Sequence, residues 1–188
     1  MNNKKLVLGS KSPRRMQLMK EAGYEFEVRT METEEDFDEN MPTLEVAEML
    51  ALRKAQALAN TLQQGECLIT ADSVVIVNDK IYNKPSDYQE GIAMLAALSG
   101  KSHTVATGVC IMDINKKKTF TVMTEVTFDD IDDAEKDYYL QVHQPYDKAG
   151  GYGIQEWVGL VKIAKIEGSY TNVMGLPMRE VYLALKAF

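Results

Sequence analysis

Three stretches of the chain hold the residue types that chemistry needs. The first is Lys5–Arg15, Lys-Leu-Val-Leu-Gly-Ser-Lys-Ser-Pro-Arg-Arg. Leu6-Val7-Leu8 reads as a strand that delivers a Gly-Ser turn, and Ser12-Pro13 has the form of an N-cap followed by proline at the first helical position. Backbone N–H groups at a helix start, the hydroxyls of Ser10 and Ser12, and the cations Lys11, Arg14 and Arg15 then converge on one turn, which suits a polyanion such as a phosphate chain. A capped βα junction with solvated charges would read the same way.

The second stretch is Cys67–Val77, the strongest strand signal in the chain. Leu68, Ile69, Val74, Val75, Ile76 and Val77 form a nearly continuous apolar run with Ala71-Asp72-Ser73 in its middle. A carboxylate there is costly unless something pairs with it, so Asp72 is a functional candidate, the other reading being a structural acceptor for backbone N–H groups. The third stretch is Pro145–Gln155, where Gly150, Gly151 and Gly153 surround an Asp147-Lys148 pair beside Tyr152 and Gln155. Such a stretch either brings backbone close to a ligand or is a Gly-rich surface loop.

Other charged groups could serve these stretches. The acidic loop Glu32–Asn40 holds Glu32, Glu34, Glu35, Asp36, Asp38 and Glu39. Most read as solvated, but a hard cation bound together with phosphate needs only one or two carboxylates. Arg53 and Lys54 lie within a helix, where a cation is ordinarily part of a solvated face. Lys84 follows a predicted hairpin.

The elements that must position these groups follow from local patterns. Met16, Leu18, Met19 and Ala22 recur at helical spacing up to a C′ glycine, Gly23, and Tyr24–Arg29 alternates as a strand. Thr43 is expected to cap a long helix with Val46, Met49, Leu50, Ala57 and Leu58 on its apolar face. Asn78-Asp79 turns a hairpin into Lys80-Ile81-Tyr82, and Ser86-Asp87 with Gln89 opens a helix that stops at Gly100. His103–Ile114 and Thr119–Phe128 read as a hairpin around Asn115–Lys118. Asp132 or Asp133 starts a helix through Tyr138, Tyr139 and Val142. Val158–Ile166 reads as a strand, Ser169–Leu176 as a loop, and Pro177 as the opening of the last helix. Strands and helices intermix with hairpins, so the expectation is an α/β protein with a mixed, strongly twisted sheet.

Composition bounds the function. The 188 residues are 45% hydrophobic and 26% charged, enough for one substantial core or two lobes sharing a sheet. A net charge of −7 argues against a nucleic-acid polymer as partner, though a few cations in one pocket suffice for a small anion. No apolar run approaches the roughly 20 residues of a membrane span, and the start lacks the pattern of a signal peptide, so a cytoplasmic protein without a membrane partner is expected. Cys67 and Cys110 lie in separate apolar runs and read as buried reduced thiols; neither pairs with His103 or His143 at zinc-site spacing.

Taken together the motifs resemble the Maf family of nucleoside triphosphate pyrophosphatases over nearly the whole chain. The resemblance is carried, in order, by Leu8-Gly9-Ser10-Lys11-Ser12-Pro13-Arg14-Arg15, Lys54-Ala55, Ala71-Asp72-Ser73, Lys84-Pro85, Leu98-Ser99-Gly100, Asp147-Lys148-Ala149-Gly150-Gly151-Tyr152-Gly153-Ile154-Gln155 and Asn172-Val173-Met174-Gly175-Leu176-Pro177. It implies one Maf-like domain over residues 1–188: an elongated, two-lobed α/β fold with a long mixed sheet flanked by helices and a cleft between the lobes, similar to the inosine triphosphate pyrophosphatases. It also implies hydrolysis of a nucleoside triphosphate to the monophosphate and pyrophosphate with a divalent cation, Mg2+ or Mn2+. Asp72 matches the family's proton acceptor. Arg15, Ser73 and Gln155 match positions that set base preference in the dTTP/UTP branch, to which the paired arginines and the Tyr-Gly-Ile-Gln ending point. Members are often dimers, so a homodimer is expected, although no apolar stripe marks an interface. Gly9 stands where alanine is common, Lys11 where a small residue is common, and Ser73 where the branch usually has threonine.

On that resemblance, Ser10, Ser12 and Arg14 or Arg15 would hold phosphate oxygens while Lys54, Lys84 and Lys148 add charge as pyrophosphate leaves. Glu35, with Asp72 or Asp147, would hold the metal. Asp72 would deprotonate the attacking water, a role that Asp147 could share, and Tyr152 and Gln155 would face the base. Two other readings remain open at this point. One is a pyrophosphatase for modified nucleotides such as 7-methyl-GTP; the other is a nucleotide-binding regulator of cell division with little turnover.

Overall fold

The computed structural model describes residues 4–188. In chain order the elements are β1 (Lys5–Leu8), α1 (Pro13–Glu21), β2 (Phe26–Val28), α2 (Thr43–Leu58), β3 (Glu66–Val77), β4 (Lys80–Tyr82), α3 (Tyr88–Leu98), β5 (Ser102–Met112), β6 (Lys117–Phe128), α4 (Asp133–His143), α5 (Trp157–Val161), β7 (Ile163–Glu167), α6 (Tyr170–Val173) and α7 (Met178–Ala187). The strands form one sheet in the order β2-β1-β3-β5-β6-β7, with β4 also paired to β3. It is mixed, as expected: β1 runs parallel to β2 and β3, whereas β3–β4 and β6–β7 are antiparallel. Among the described residues no helix is long and apolar enough to cross a membrane.

The chain divides into two compact units. One comprises the chain up to Ser73, Thr107–Val122 and Gly175–Phe188; the other comprises Val74–Ala106 and Met123–Met174. The first unit has a core of Val7, Ala51, Ala55, Leu58, Leu68, Cys110 and Met112, which joins one face of α2 to β1, β3 and β5. Two details set α2 in place. Thr70 Oγ1 donates to the Ala51 carbonyl at 2.7 Å, and the backbone of α2 comes so close to β5 that a Cβ at Gly108 would lie 2.2 Å from the carbonyl carbon of Ala47. Cys67 and Cys110 are free and buried, and burial pushes both thiols up to about 11.

The second unit is organised around Val75, Leu95, Leu98, Val126, Phe128, Tyr139, Leu140, Tyr152 and Val158 among others. Its hairpin turn, Asn78-Asp79, has both residues at positive φ, 48° and 59°, the conformation that two-residue hairpins favour. Asp87 caps α3 by accepting from the Glu90 N–H, and Asp132 rather than Asp133 caps α4, in a capping box with Glu135.

Several local expectations are corrected. Thr43 is the first residue of α2 and not its cap: Pro42 holds that place, and its carbonyl accepts from the Glu45 N–H at 2.9 Å. The strand expected over Tyr24–Arg29 narrows to Phe26–Val28. The β5–β6 turn falls earlier than expected because the Asp113 carboxylate takes the N–H groups of Asn115 and Lys116, and the Asp113 N–H donates to the Lys116 carbonyl. Val158–Ile166 is not one strand but helix α5 followed by β7. Val158 is buried, while Leu160 and Val161 point outward, and the Leu160 and Lys162 N–H groups donate four residues back to Glu156 and Val158. Ser169–Leu176 is not all loop, since Ser169 caps α6. Pro177 precedes α7 as its N-cap residue.

Candidate active site

In the first unit β1 ends at Leu8, and the chain turns through Gly9-Ser10-Lys11-Ser12 into α1. Ser10 is buried, and its hydroxyl oxygen accepts from the Ser12 N–H at 3.2 Å and from Arg15 Nη1 at 3.3 Å. Ser12 occupies the N-cap position as expected, yet its hydroxyl makes no capping bond. Arg14 is half-buried beside it.

Arg15 departs most from its sequence reading. Its Nε donates to the Gly175 carbonyl and Nη1 to the Ala71 carbonyl, both at 2.7 Å, and Nη2 donates to Ser73 Oγ at 3.2 Å. The guanidinium therefore ties α1 to β3 and to the segment before α7. Burial lowers its pKa, opposed by the charge of Asp72. Ser73 Oγ also lies 2.9 Å from Thr107 Oγ1, a fully buried hydroxyl on β5. The Thr107 signal was the same as that of Asp72, a polar residue in an apolar strand.

Asp72 is 8% exposed, and the pleat of β3 sets it on the same face as Thr70, whose hydroxyl fastens α2. Its Oδ1 accepts from the Ser73 N–H at 2.7 Å and its Oδ2 from Lys54 Nζ at 2.5 Å. The same ammonium reaches Glu35 Oε1 at 2.8 Å, so one cation on α2 joins two carboxylates, one from β3 and one from the acidic loop. Arg53, expected as a solvated helix face, instead donates from Nη1 to the carbonyls of Glu34 and Asp36 and to Asp36 Oδ1.

The second unit carries the other expected residues. Lys84 and Gln155 are exposed. Lys148 is buried with its Nζ between Asp147 Oδ1 at 2.5 Å and Glu156 Oε1 at 2.9 Å. Glu156 also accepts the Tyr139 hydroxyl, whose oxygen takes the Gly153 N–H at 2.9 Å. The Gly-rich turn is held by the Gly150 N–H on the Asn83 carbonyl, and Gly150, at φ 70°, has no room for a Cβ beside Val75. Tyr152 is not a base-facing residue. It is buried edge-on against Phe128 and His103, and its hydroxyl lies 2.7 Å from His103 Nε2. Desolvation pushes His103 down to about 4. Glu156 and Tyr139 carried no sequence signal beyond their nearness to the motif.

Among the described residues no three His, Cys, Asp or Glu side chains group as a metal cage. Of the carboxylates expected at a metal, Glu35 and Asp72 meet at one positive charge, that of Lys54, while Asp147 pairs with Lys148 in the other unit.

Comparison with known proteins places this arrangement. The family described as "Maf-like protein" matches residues 5–188. A protein of Flavobacterium psychrophilum named dTTP/UTP pyrophosphatase is 45% identical over 183 residues, covering 97% of this chain and 94% of that one. A protein of the same name from Porphyromonas gingivalis is 46% identical over 187 residues, covering 98% and 94%. Among solved structures the Staphylococcus aureus Ham1 protein aligns with 66% of this chain and 72% of its own, at 16% identity and a TM-score of 0.49, too slight a likeness to bear on function. Matched from Lys5 to its last residue and nearly half identical to full-length relatives, the chain belongs to the Maf family.

Proposed function

We propose that the chain is a nucleoside triphosphate pyrophosphatase that acts on dTTP and UTP, releasing dTMP or UMP and pyrophosphate. The observation that carries the reading is Asp72, a nearly buried carboxylate in an otherwise apolar strand, met by Lys54 and by a backbone N–H. The family and the relatives named dTTP/UTP pyrophosphatase support the substrate class.

Water attacks the α-phosphorus: a P–O bond forms to the water oxygen, and the bond from the α-phosphorus to the bridging oxygen breaks. Pyrophosphate leaves with that oxygen. Asp72 orients the water and takes its proton on a carboxylate oxygen. As the triphosphate binds, Lys54 has phosphate oxygens to turn to, which releases Oδ2 for the water. Ser10, Ser12 and Arg14, at the start of α1, serve the phosphates, a role that the family resemblance also assigns to Lys84 and Lys148. Arg15 acts on the substrate through Ser73 and the backbone it braces, and Gln155 reads the base.

Where Mg2+ or Mn2+ takes part, Glu35 and Asp72 are the residues that would hold it. They converge on an ammonium that already stands for a cation, and carboxylate oxygens are the donors such ions take. Bound there, it supplies charge neutralisation at phosphate oxygens.

The test is to incubate the protein with dTTP, UTP, CTP and 7-methyl-GTP in Mg2+ and identify products by phosphorus NMR, alongside Asp72→Asn. Expected are monophosphate and pyrophosphate from dTTP and UTP, with the rate in the variant down by about 100-fold or more. Diphosphate and orthophosphate as products, or a variant as fast as the parent, would overturn the mechanism.

A further inference from the structure

Arg53 and Lys54 are neighbours on α2, and both reach the acidic loop, but they hold different things. Lys54 joins the Glu35 carboxylate to that of Asp72. Arg53 grips the backbone on either side of Glu35: Nη1 donates to the carbonyls of Glu34 and Asp36, each at 2.8 Å, and to Asp36 Oδ1 at 2.6 Å. The loop has no regular structure between β2 and the turn before α2, and Glu35 itself is exposed, so its position depends on what pins its backbone. The frame behind the grip is rigid. Ala51 and Ala55 are fully buried, and Thr70 and Gly108 lock α2 against the strands that carry Asp72 and Thr107.

From this we infer that Arg53 is a positioning residue: by fixing the carbonyls flanking Glu35 it presents that carboxylate to the same cation as Asp72, and so tightens divalent-cation binding although it is itself positive. The inference rests on the metal assignment of the proposed function, and its sign sets it apart from plain electrostatics. A positive charge near a cation site repels the cation, so removing Arg53 should tighten binding if charge were its whole effect. Removal weakens binding if position is what matters. Arg53→Lys separates the two further, because it keeps the charge, yet the lysine nitrogen ends one bond short of the Nη1 position that meets both carbonyls.

The experiment titrates Mn2+ alone into the nucleotide-free full chain and counts free Mn2+ by electron paramagnetic resonance, for the parent, Arg53→Met, Arg53→Lys, Glu35→Gln and Arg53→Met/Glu35→Gln. Thermal melts establish that each is folded. Expected is a loss of affinity of about three- to tenfold in both Arg53 variants. Glu35→Gln loses at least as much, and the double variant binds no more weakly than Glu35→Gln, since a misplaced glutamine has nothing further to lose. Binding by Arg53→Met as tight as the parent's, an Arg53→Lys equal to the parent beside a weakened Arg53→Met, or additive losses in the double variant would each overturn the inference. Should Arg53→Met fail to fold, Arg53→Lys and its double with Glu35→Gln decide alone. A parent that converts dTTP but binds no Mn2+ removes the metal assignment and the inference with it; one that converts no nucleotide at all removes the proposed function, and Mn2+ binding then reports on Arg53 independently.

Discussion

Replacing Arg15 with lysine tests whether this side chain is a tie between strands or a reader of the base. Its two shortest bonds, each 2.7 Å, end on the carbonyls of Gly175 and Ala71, both buried residues. Its longer bonds end on Ser10 and Ser73, and each of those hydroxyls has a second partner, the Ser12 N–H and Thr107. An ammonium can satisfy one carbonyl but not both, as it lacks the fork. One charge-assisted bond is lost outright, at roughly 1.5–3 kcal/mol, and the hydroxyls re-pair at little cost. The expected destabilisation is therefore about 2–3 kcal/mol, read as a lower urea midpoint at unchanged slope. In turnover assays the preference between dTTP and CTP should stay as it was while the rate falls for both. A variant within about 0.5 kcal/mol of the parent and altered in its base preference would refute the tie and restore Arg15 as a base-selecting group.

Two further outcomes follow from the packing. Gly9→Ala places a methyl 2.6 Å from Thr70 Cγ2, and Thr70 cannot turn away without breaking its bond to Ala51, so the variant should lose about 1–3 kcal/mol in thermal or urea unfolding. Thr70→Ser, which removes that methyl and keeps the hydroxyl, should recover most of the loss in the double variant; equal losses with and without it would show that the strain lies elsewhere. His103 resists protonation in the fold until about pH 4, whereas the unfolded chain takes up that proton near pH 6.5. The unfolded state thus binds more protons across this window, and stability falls as pH drops from 6.5 towards 4. His103→Gln should flatten that part of the pH dependence of the melting midpoint, and a slope unchanged from the parent would mean that His103 titrates alike in both states.

Much of this was legible because it depends on neighbours in sequence. The apolar run of β3 with one carboxylate inside it marked Asp72, the Asn78-Asp79 hairpin followed from turn chemistry, and the mixed α/β class followed from the alternation of elements. What was missed depends on distant partners. Tyr152 stands in a Gly-rich stretch that suggests a ligand, but His103 and Phe128, far off in the chain, enclose it. Val158–Ile166 has the apolar content of a strand, and it is the burial of Val158 with Leu160 turned outward that makes its first turn a helix.

Arg15 and Lys54 show why residue type alone leaves the site undecided. Both are cations in motifs that suit a phosphate. Arg15 is spent on carbonyl oxygens of Ala71 and Gly175, which no anionic ligand can replace, because a phosphate has acceptors where those carbonyls need donors. Lys54 is spent on the carboxylates of Glu35 and Asp72, which another cation can satisfy in its place. A ligand that arrives as phosphate with its counter-cation can therefore release Lys54 without leaving buried groups unpaired, and cannot release Arg15. In the proposed function the lysine is the exchangeable charge of the site and the arginine its frame, a difference set by what each side chain touches.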